Sequence, residues 1–386
     1  MKEYNAEETV QQIMDLIQKE YKDLKKLNIM VLGKTGVGKS TLINNLFSEK
    51  IVDTGIGKPV TTQIRKIEKE GYPLALYDTP GLELNGENAI ANLLAQVKEE
   101  MKKGIVTGHI ENAIHCICYC VAVPTHRFEQ AEVEFLKKFL VEAKEYHVPV
   151  IVVLTQAYNK SETKALMNVI EKENLEIVKI VPILAENYEI DDEYIAKSYG
   201  LDKLANVMLQ IIPDAVKKTF IAIQCVNLNI KIERAQKIVG MAAAAAMATG
   251  ATPIPFSDAA LLVPEEIAML GKITATFGIP IAKGTIMTIV SSTIGTTGAT
   301  ILGKSAVSTL LKFFPGLGSV VGGVISGAAA AALTASLGEA YIAILVQICK
   351  GNISMSELES EKGKQQVQAI FKERLKMKRK KNGQLK

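Results

Sequence analysis

Gly33-Lys34-Thr35-Gly36-Val37-Gly38-Lys39-Ser40 decides how the rest of this chain is read. Glycines one and six places along, then a lysine and a hydroxyl residue, give the spacing with which backbone wraps a phosphate. An apolar run at 28–32 precedes the stretch, and a helical pattern at 40–47 follows it. The glycines let successive N–H groups converge on a β-phosphate, and the positive end of the following helix adds to the attraction. In this reading Lys39 bridges the β- and γ-phosphates, the Ser40 hydroxyl holds Mg²⁺, and Thr41 belongs to the same nucleotide-binding set. The bland alternative is a glycine-rich turn. Strand, glycines, lysine, hydroxyl and helix occurring together count against it.

Two further stretches follow from the first. Asp78-Thr79-Pro80-Gly81 closes an apolar run 39 residues after Lys39. The Asp78 carboxylate there suits the Mg²⁺ water shell, and the Gly81 N–H is placed to sense a γ-phosphate. Between the two lies Pro59-Val60-Thr61-Thr62, a loop that supplies a threonine to the metal, Thr62 being preferred to Thr61. A Thr-Thr pair entering a strand is ordinary on its own, so this assignment leans on the other two motifs.

Outward from this site, apolar runs predict strands at 28–32, 62–69, 74–78, 113–121, 148–154 and 177–182. Helical patterns lie near 88–103, 128–146, 160–173 and 201–212. Alternating β and α with nearly continuous apolar strands predicts an α/β fold, a P-loop NTPase domain whose mostly parallel sheet carries helices on both faces. The domain spans 28–213. Residues 1–27 form an amphipathic helix with Val10, Ile13, Met14, Ile17, Tyr21 and Leu24 on one face, expected to pack on the domain that follows it. Residues 214–237 are read as one connecting helix.

The composition then changes. From Ile238 to Cys349 only eight charges occur, and 238–257, 284–303 and 313–338 have none. The 238–350 block is predicted to be an all-α hydrophobic helical domain. Each uncharged stretch is long enough to cross a hydrocarbon core, which takes about 20 helical residues. Their Ala, Gly, Ser and Thr content makes insertion weak. Small residues four apart, as in Gly295-Ala299-Gly303 and Gly318-Gly322, allow close helix approach in membranes and in water alike. Residues 351–386 form a charged helix ending in the basic run 374–381.

From Asp214 onward there are 20 Lys/Arg against 10 Asp/Glu, whereas the preceding residues carry 25 against 31. The basic half suits an anionic partner: a membrane surface, or less well RNA or the ribosome, since no aromatic stacking platform accompanies it. Cys116, Cys118 and Cys120 alternate along one strand as small hydrophobes; a zinc site lacks a second ligand pair. The charged start Met1-Lys2-Glu3-Tyr4 has no apolar signal core, so the expected location is cytoplasmic, with peripheral or conditional membrane association.

The phosphate motif, Asp78-Thr79-Pro80-Gly81 and the threonine loop resemble the Era-like branch of the translation-factor-related P-loop GTPases. The later block, most clearly Thr252-Pro253-Ile254-Pro255-Phe256-Ser257-Asp258-Ala259-Ala260, looks like an Ala/Gly-rich domain of unknown function that follows such domains in bacteria. The resemblance implies a bacterial switch protein that binds GTP or GDP with Mg²⁺ and hydrolyses GTP. Where Ras-like members place a water-orienting glutamine, this chain has Leu82, and the potassium-activated branch has asparagine where this chain has Gly36. The expectation is therefore slow intrinsic hydrolysis, stimulated by a partner or by a homodimer through the G domain.

By position, Thr155-Gln156-Ala157-Tyr158 occupies the guanine-reading loop, which the family spells N/T-K-x-D. Thr155 fits, Gln156 replaces the lysine, and Tyr158 replaces the aspartate. That carboxylate's paired hydrogen bonds are worth on the order of 2–4 kcal/mol. One register on, Asn159-Lys160-Ser161-Glu162 spells N-K-x-E, read first as a helix start and second as a displaced base reader. After the last strand, the Ala185 N–H is expected to meet guanine O6. Guanine is the expected base, with reduced discrimination. Two functions of different class stay open: a GTP-driven switch, or a membrane or scaffold protein whose nucleotide is structural.

Overall fold

The computed structural model describes residues 6–47, 51, 63–79, 87–125, 128–190, 193–249, 254–255, 263–294, 324–325, 327–367, 369–370 and 373. Thr61, Thr62, Gly81 and Leu82 lie outside the described residues, as do 295–323, most of 250–262 and the basic run 374–381. The chain divides into two compact units: Leu24–Asn227, and Met1–Asp23 together with Leu228–Lys386.

The Leu24–Asn227 unit is built on a six-stranded sheet. Its strands are β1 (Leu27–Leu32), β2 (Arg65–Glu68), β3 (Leu74–Asp78), β4 (Cys116–Ala122), β5 (Val150–Thr155) and β6 (Lys179–Pro182), in the order β2-β3-β1-β4-β5-β6. Every pairing is parallel except β2 with β3. Each parallel crossover needs a helix, so α2 (Lys39–Leu46), α3 (Glu87–Thr107), α4 (Gln130–Glu145) and α5 (Lys160–Lys172) alternate with the strands, and α6 (Leu201–Ile211) and α7 (Asp214–Ile223) follow β6. The six residues of β1, the seven of β4 and the six of β5 are all buried, which explains their unbroken apolar runs. Within β4, Ile117, Tyr119 and Val121 join a core with Phe135, Phe139 and Leu154, while Cys116, Cys118 and Cys120 are buried free thiols. Edge strand β2 is charged and largely exposed, which discourages further pairing. Beyond β6 a small antiparallel ribbon joins β7 (Tyr188–Glu189) to β8 (Ile195–Ala196).

The single helix expected at 214–237 is two helices. Helix α7 stops at Ile223, and α8 (Leu228–Thr249) starts after a turn made by buried Gln224. Its Oε1 accepts from the N–H groups of Val226 (3.0 Å) and Asn227 (2.8 Å), and its Nε2 donates to the Asn227 carbonyl (2.9 Å). A side chain that supplies both a donor and an acceptor to the backbone offers the chain an alternative to helix.

The second unit corrects the expectation for the N-terminal helix. Helix α1 (Ala6–Lys22) buries Val10, Ile13 and Ile17 in one core with α8, α9 (Val263–Phe277), α10 (Lys283–Ile294) and α11 (Gly327–Cys349). It joins the helical unit instead of packing on the sheet domain that follows it in sequence. Strands β9 (Ile254–Pro255) and β10 (Val324–Ile325) pair antiparallel in the same unit. A small residue the sequence reading did not single out sets one helix spacing: a Cβ on Gly338 of α11 would lie 2.5 Å from Val239 Cγ2 of α8, while Gly295, Ala299, Gly303, Gly318 and Gly322 lie outside the described residues. Where the chain turns back, Lys231 of α8 donates its ammonium to the Phe277 carbonyl at the end of α9 (2.5 Å), supplying a partner to an orphan helix-end acceptor. In α9, Glu266 receives a long contact from the Thr334 hydroxyl (3.5 Å), and burial pushes its carboxyl up to about 7. After α11, Ser354 and Glu357 cap a short helix, α12 (Met355–Leu358), in a reciprocal box, and Leu358 and Val367 return to the core.

Among the described residues one helical segment, Ala330–Cys349, is long and apolar enough to cross a bilayer, and 59% of its most apolar window is buried within the protein. The core helix of a bundle meets the same description. Truncating a fully buried isoleucine costs about 2–5 kcal/mol. Ile13→Ala is therefore expected to lower the melting transition of the helical unit by several degrees while leaving nucleotide affinity unchanged. Loss of affinity with an unshifted melt would contradict the assignment of α1.

Candidate nucleotide-binding site

The site forms at the carboxyl ends of the parallel strands, where loops of an α/β sheet gather. Gly33 leaves β1 at φ +145° directly beneath β4: a Cβ there would lie 2.5 Å from the Cys120 carbonyl oxygen. No other residue fits without moving the sheet. Gly38, at φ +89°, starts α2 and supplies no side-chain cap to the first N–H groups of that helix. Lys39 folds back over the loop, donating to the carbonyls of Gly33 (2.9 Å) and Lys34 (3.1 Å). In β3, Asp78 pairs in register with Val31 of β1, two residues before Gly33. Burial raises the Asp78 carboxyl above its usual range, while the charges of Lys39 and Arg65 draw it back down. Next to it the Thr79 hydroxyl donates to the Val31 carbonyl (3.3 Å), fastening the exit of β3 to β1.

The hydroxyl of Ser40 in the first turn of α2 and the Asp78 carboxylate are hard oxygen donors, and few. That donor set fits Mg²⁺, which binds through one or two protein oxygens and keeps several waters. Among the described residues no three His, Cys, Asp or Glu side chains gather into a metal cluster.

Lys34 is placed differently from the rest of the motif. Its ammonium pairs with Glu129 (3.1 Å) and Glu132 (3.2 Å), and Glu132 is buried and accepts from the Tyr119 hydroxyl of β4 (2.9 Å). Burial works against the Lys34 charge, yet hydrogen bonds to the two carboxylates hold its pKa above the ordinary value. Glu132 is shifted upward by its own burial, against the pull of Lys34. Only the backbone of Lys34 is thus left to the phosphate loop; its side chain ties that loop to α4. Nothing in the spacing of Glu129 and Glu132 announces this tether.

The base-reading loop grips the phosphate loop from the other side. Buried Thr155 donates its hydroxyl to the Val37 carbonyl (2.5 Å), with a second contact to the Val121 carbonyl (3.2 Å). Gln156, held at φ +53°, donates Nε2 to the Gly36 carbonyl (3.0 Å). Ala157 is buried; its N–H bonds the Ile183 carbonyl (3.0 Å), and its own carbonyl accepts from the Tyr199 hydroxyl (2.7 Å). The Tyr158 ring stacks on Tyr188 with centroids 4.6 Å apart and planes 10° apart. Asn159 caps α5, its Oδ1 accepting from Ser161 and Glu162 N–H groups, so the N-K-x-E stretch is a helix start. Ala185 lies on the loop after β6, partly buried, between Leu184, which is bridged to Tyr199, and Glu186, whose Oε1 accepts from Asn45 Nδ2 of α2 (2.9 Å). The structure brings Gly33 to Thr41, Asp78, Thr155 and Gln156 to one end of the sheet. Glu186 and Tyr188 join them without any motif to mark them in the sequence.

Comparison with known proteins agrees with this geometry. Residues 28–156 match the family described as 50S ribosome-binding GTPase, and residues 221–379 match a domain of unknown function, DUF697. Among curated proteins, Septin-1 of Drosophila melanogaster is 28% identical over 45% of this chain and 54% of its own length. Human Septin-12 is 31% identical over 29% of this chain and 37% of its own. The chain thus spans about half or less of these relatives. A solved structure of Aquifex aeolicus Era bound to GDP and aluminium fluoride is 23% identical, covering 50% of this chain and 58% of that one, with a TM-score of 0.35. The Era-like branch suggested by the motifs broadens accordingly, with septins among the sequence relatives. By these matches the chain carries a P-loop GTPase domain followed by a DUF697 domain.

Proposed function

We propose that the sheet domain binds GTP and GDP with Mg²⁺, hydrolyses GTP, and acts as a nucleotide-dependent switch on the helical unit. The observation that carries this reading is Lys39, folded over a glycine loop onto the carbonyls of Gly33 and Lys34, beside the strand end that delivers Asp78, with Thr155 and Gln156 bracing the loop. Lys39 meets the β- and γ-phosphates once it releases the carbonyls of Gly33 and Lys34. The α2 N–H groups donate to the phosphate oxygens, and Ser40 and Asp78 would hold Mg²⁺, which when bound would neutralise charge on the phosphoryl oxygens. Thr62 and Gly81 are the proposed sensors of the γ-phosphate. Leu82 supplies no hydrogen bond to an attacking water, so a second copy or another partner completes the hydrolytic site. The chain passes between its two units twice, near residues 23 and 227, so both connections are available to carry a switch signal.

The helical unit is proposed to be the output. Its low charge and the basic run that follows suit conditional attachment of a cytoplasmic protein to an anionic membrane; RNA is a less suitable partner. A second reading, a scaffold whose nucleotide is structural and whose base preference is loose, draws on the stacked Tyr158 in place of a carboxylate.

Lys39→Ala is expected to weaken GDP binding about 100-fold or more, as losing charge-assisted hydrogen bonds costs roughly 1.5–3 kcal/mol each. In a vesicle flotation assay the same variant separates the two readings. A switch loses its nucleotide-dependent difference between anionic and neutral vesicles; a scaffold floats as before. Hydrolysis measured per molecule should be slow when dilute and rise with protein concentration. A fast rate that is unchanged on dilution would contradict the need for a second copy or partner.

A further inference from the structure

Guanine differs from adenine along its Watson–Crick edge, in an acceptor at O6 and a donor pair at N1–H and N2–H₂. The Ala185 N–H suits the acceptor. The donor pair calls for a carboxylate, because only an ionised acid accepts two parallel N–H bonds without a competing donor of its own. Place 158 cannot supply it: it is a tyrosine, with its ring against Tyr188. Asn159 spends its side chain capping α5.

On the loops that leave β5 and β6, residues 156–159 and 183–187, the one carboxylate is Glu186. It directly follows Ala185 and is exposed, as a ligand-reading group must be before the ligand arrives. It is also held. Asn45 Nδ2 takes Oε1 at 2.9 Å, and Asn45 sits on the helix that begins at Lys39, its Nδ2 also donating to the Thr41 carbonyl (2.9 Å). The next residue, Asn187, accepts from the Ser198 N–H (2.8 Å). The loops after β5 and β6 are joined through Ala157 N–H to the Ile183 carbonyl (3.0 Å), and the Tyr199 hydroxyl bonds the Ala157 carbonyl. A carboxylate held through Oε1 by Asn45, one residue from the O6 donor and so tied to the phosphate-binding helix, is placed to meet the neighbouring N1–H and N2–H₂ groups of the same base.

We propose that Glu186 reads the N1–H and N2–H₂ groups of guanine, taking over from the loop after β6 the task that place 158 does not perform, with the Tyr158–Tyr188 stack forming an aromatic wall beside it. This rests on the guanine-nucleotide reading above. Asn45 is a positioning residue, acting on the base through Glu186.

The test titrates the full chain with the Mg²⁺ complexes of GDP, xanthosine diphosphate and ADP. Xanthine carries a carbonyl where guanine carries the N2 amine, so an amide at place 186 complements it and a carboxylate repels it. Glu186→Gln is expected to weaken GDP at least 10-fold and tighten xanthosine diphosphate by a similar factor. Glu186→Asp, with the carboxylate withdrawn by one methylene, should lose GDP affinity without gaining the xanthosine nucleotide. An unchanged ratio of GDP to xanthosine diphosphate in Glu186→Gln overturns the proposal, as does a GDP loss confined to Tyr158→Phe. The wild-type ratio of GDP to ADP reports separately on the guanine reading. If it is near one, that reading fails; if it favours GDP while Glu186→Gln changes nothing, only the role of Glu186 fails.

Discussion

The bond from the Thr155 hydroxyl to the Val37 carbonyl is the constraint on which the candidate site depends. A carbonyl turned inward at the middle of a glycine-rich loop is costly when unpaired, about 1–3 kcal/mol, and Thr155 is the residue that β5 delivers to it. The delivery is possible because β5 runs parallel to β4, with Thr155 in register with Ala122, and because Gly33 leaves room for the loop to pass under the Cys120 carbonyl. Gln156 repeats the grip on Gly36, and Lys34 anchors the loop's first turn to α4. The loop is thereby shaped before any phosphate arrives, and little ordering remains to be done on binding.

This arrangement gives the departures from the family pattern a physical meaning. Thr155 and Gln156 keep the bracing role of the base loop, which needs only a hydroxyl and an amide donor. Tyr158 carries no carboxylate, and its ring lies against Tyr188. Bracing a loop and reading a base ask for different chemistry, so the residues that brace need not be the ones that read.

The phosphate loop and the buried strands were legible because their signals are local: glycine spacing, a lysine, and unbroken apolar runs of the right length. The stretch Asn159-Lys160-Ser161-Glu162 was legible as a helix start, and the structure adds that Asn159 is its cap. The partner of α1 was not, since a stripe of Val10, Ile13 and Ile17 says that a face is buried without saying against what, and the answer lies more than 240 residues away in α9 and α10. Gln224 looks like any residue of a continuous helix until its side chain is seen bonding the turn. Lys34 reads as a loop residue by position, and only the fold brings Glu129 and Glu132 to its side chain. Glu186 likewise has no spacing motif to mark it. Composition set the 238–350 block apart, but the bundle also draws in residues 6–22 and the segment after 351.

The most direct test of the account is hydrogen–deuterium exchange of the full chain with and without GDP and Mg²⁺. Nucleotide held at the braced loop should slow exchange together in residues 33–41 and 184–186, with smaller changes across the strands beneath them. Nucleotide that leaves both segments unprotected, or protects only residues of the helical unit, would contradict it.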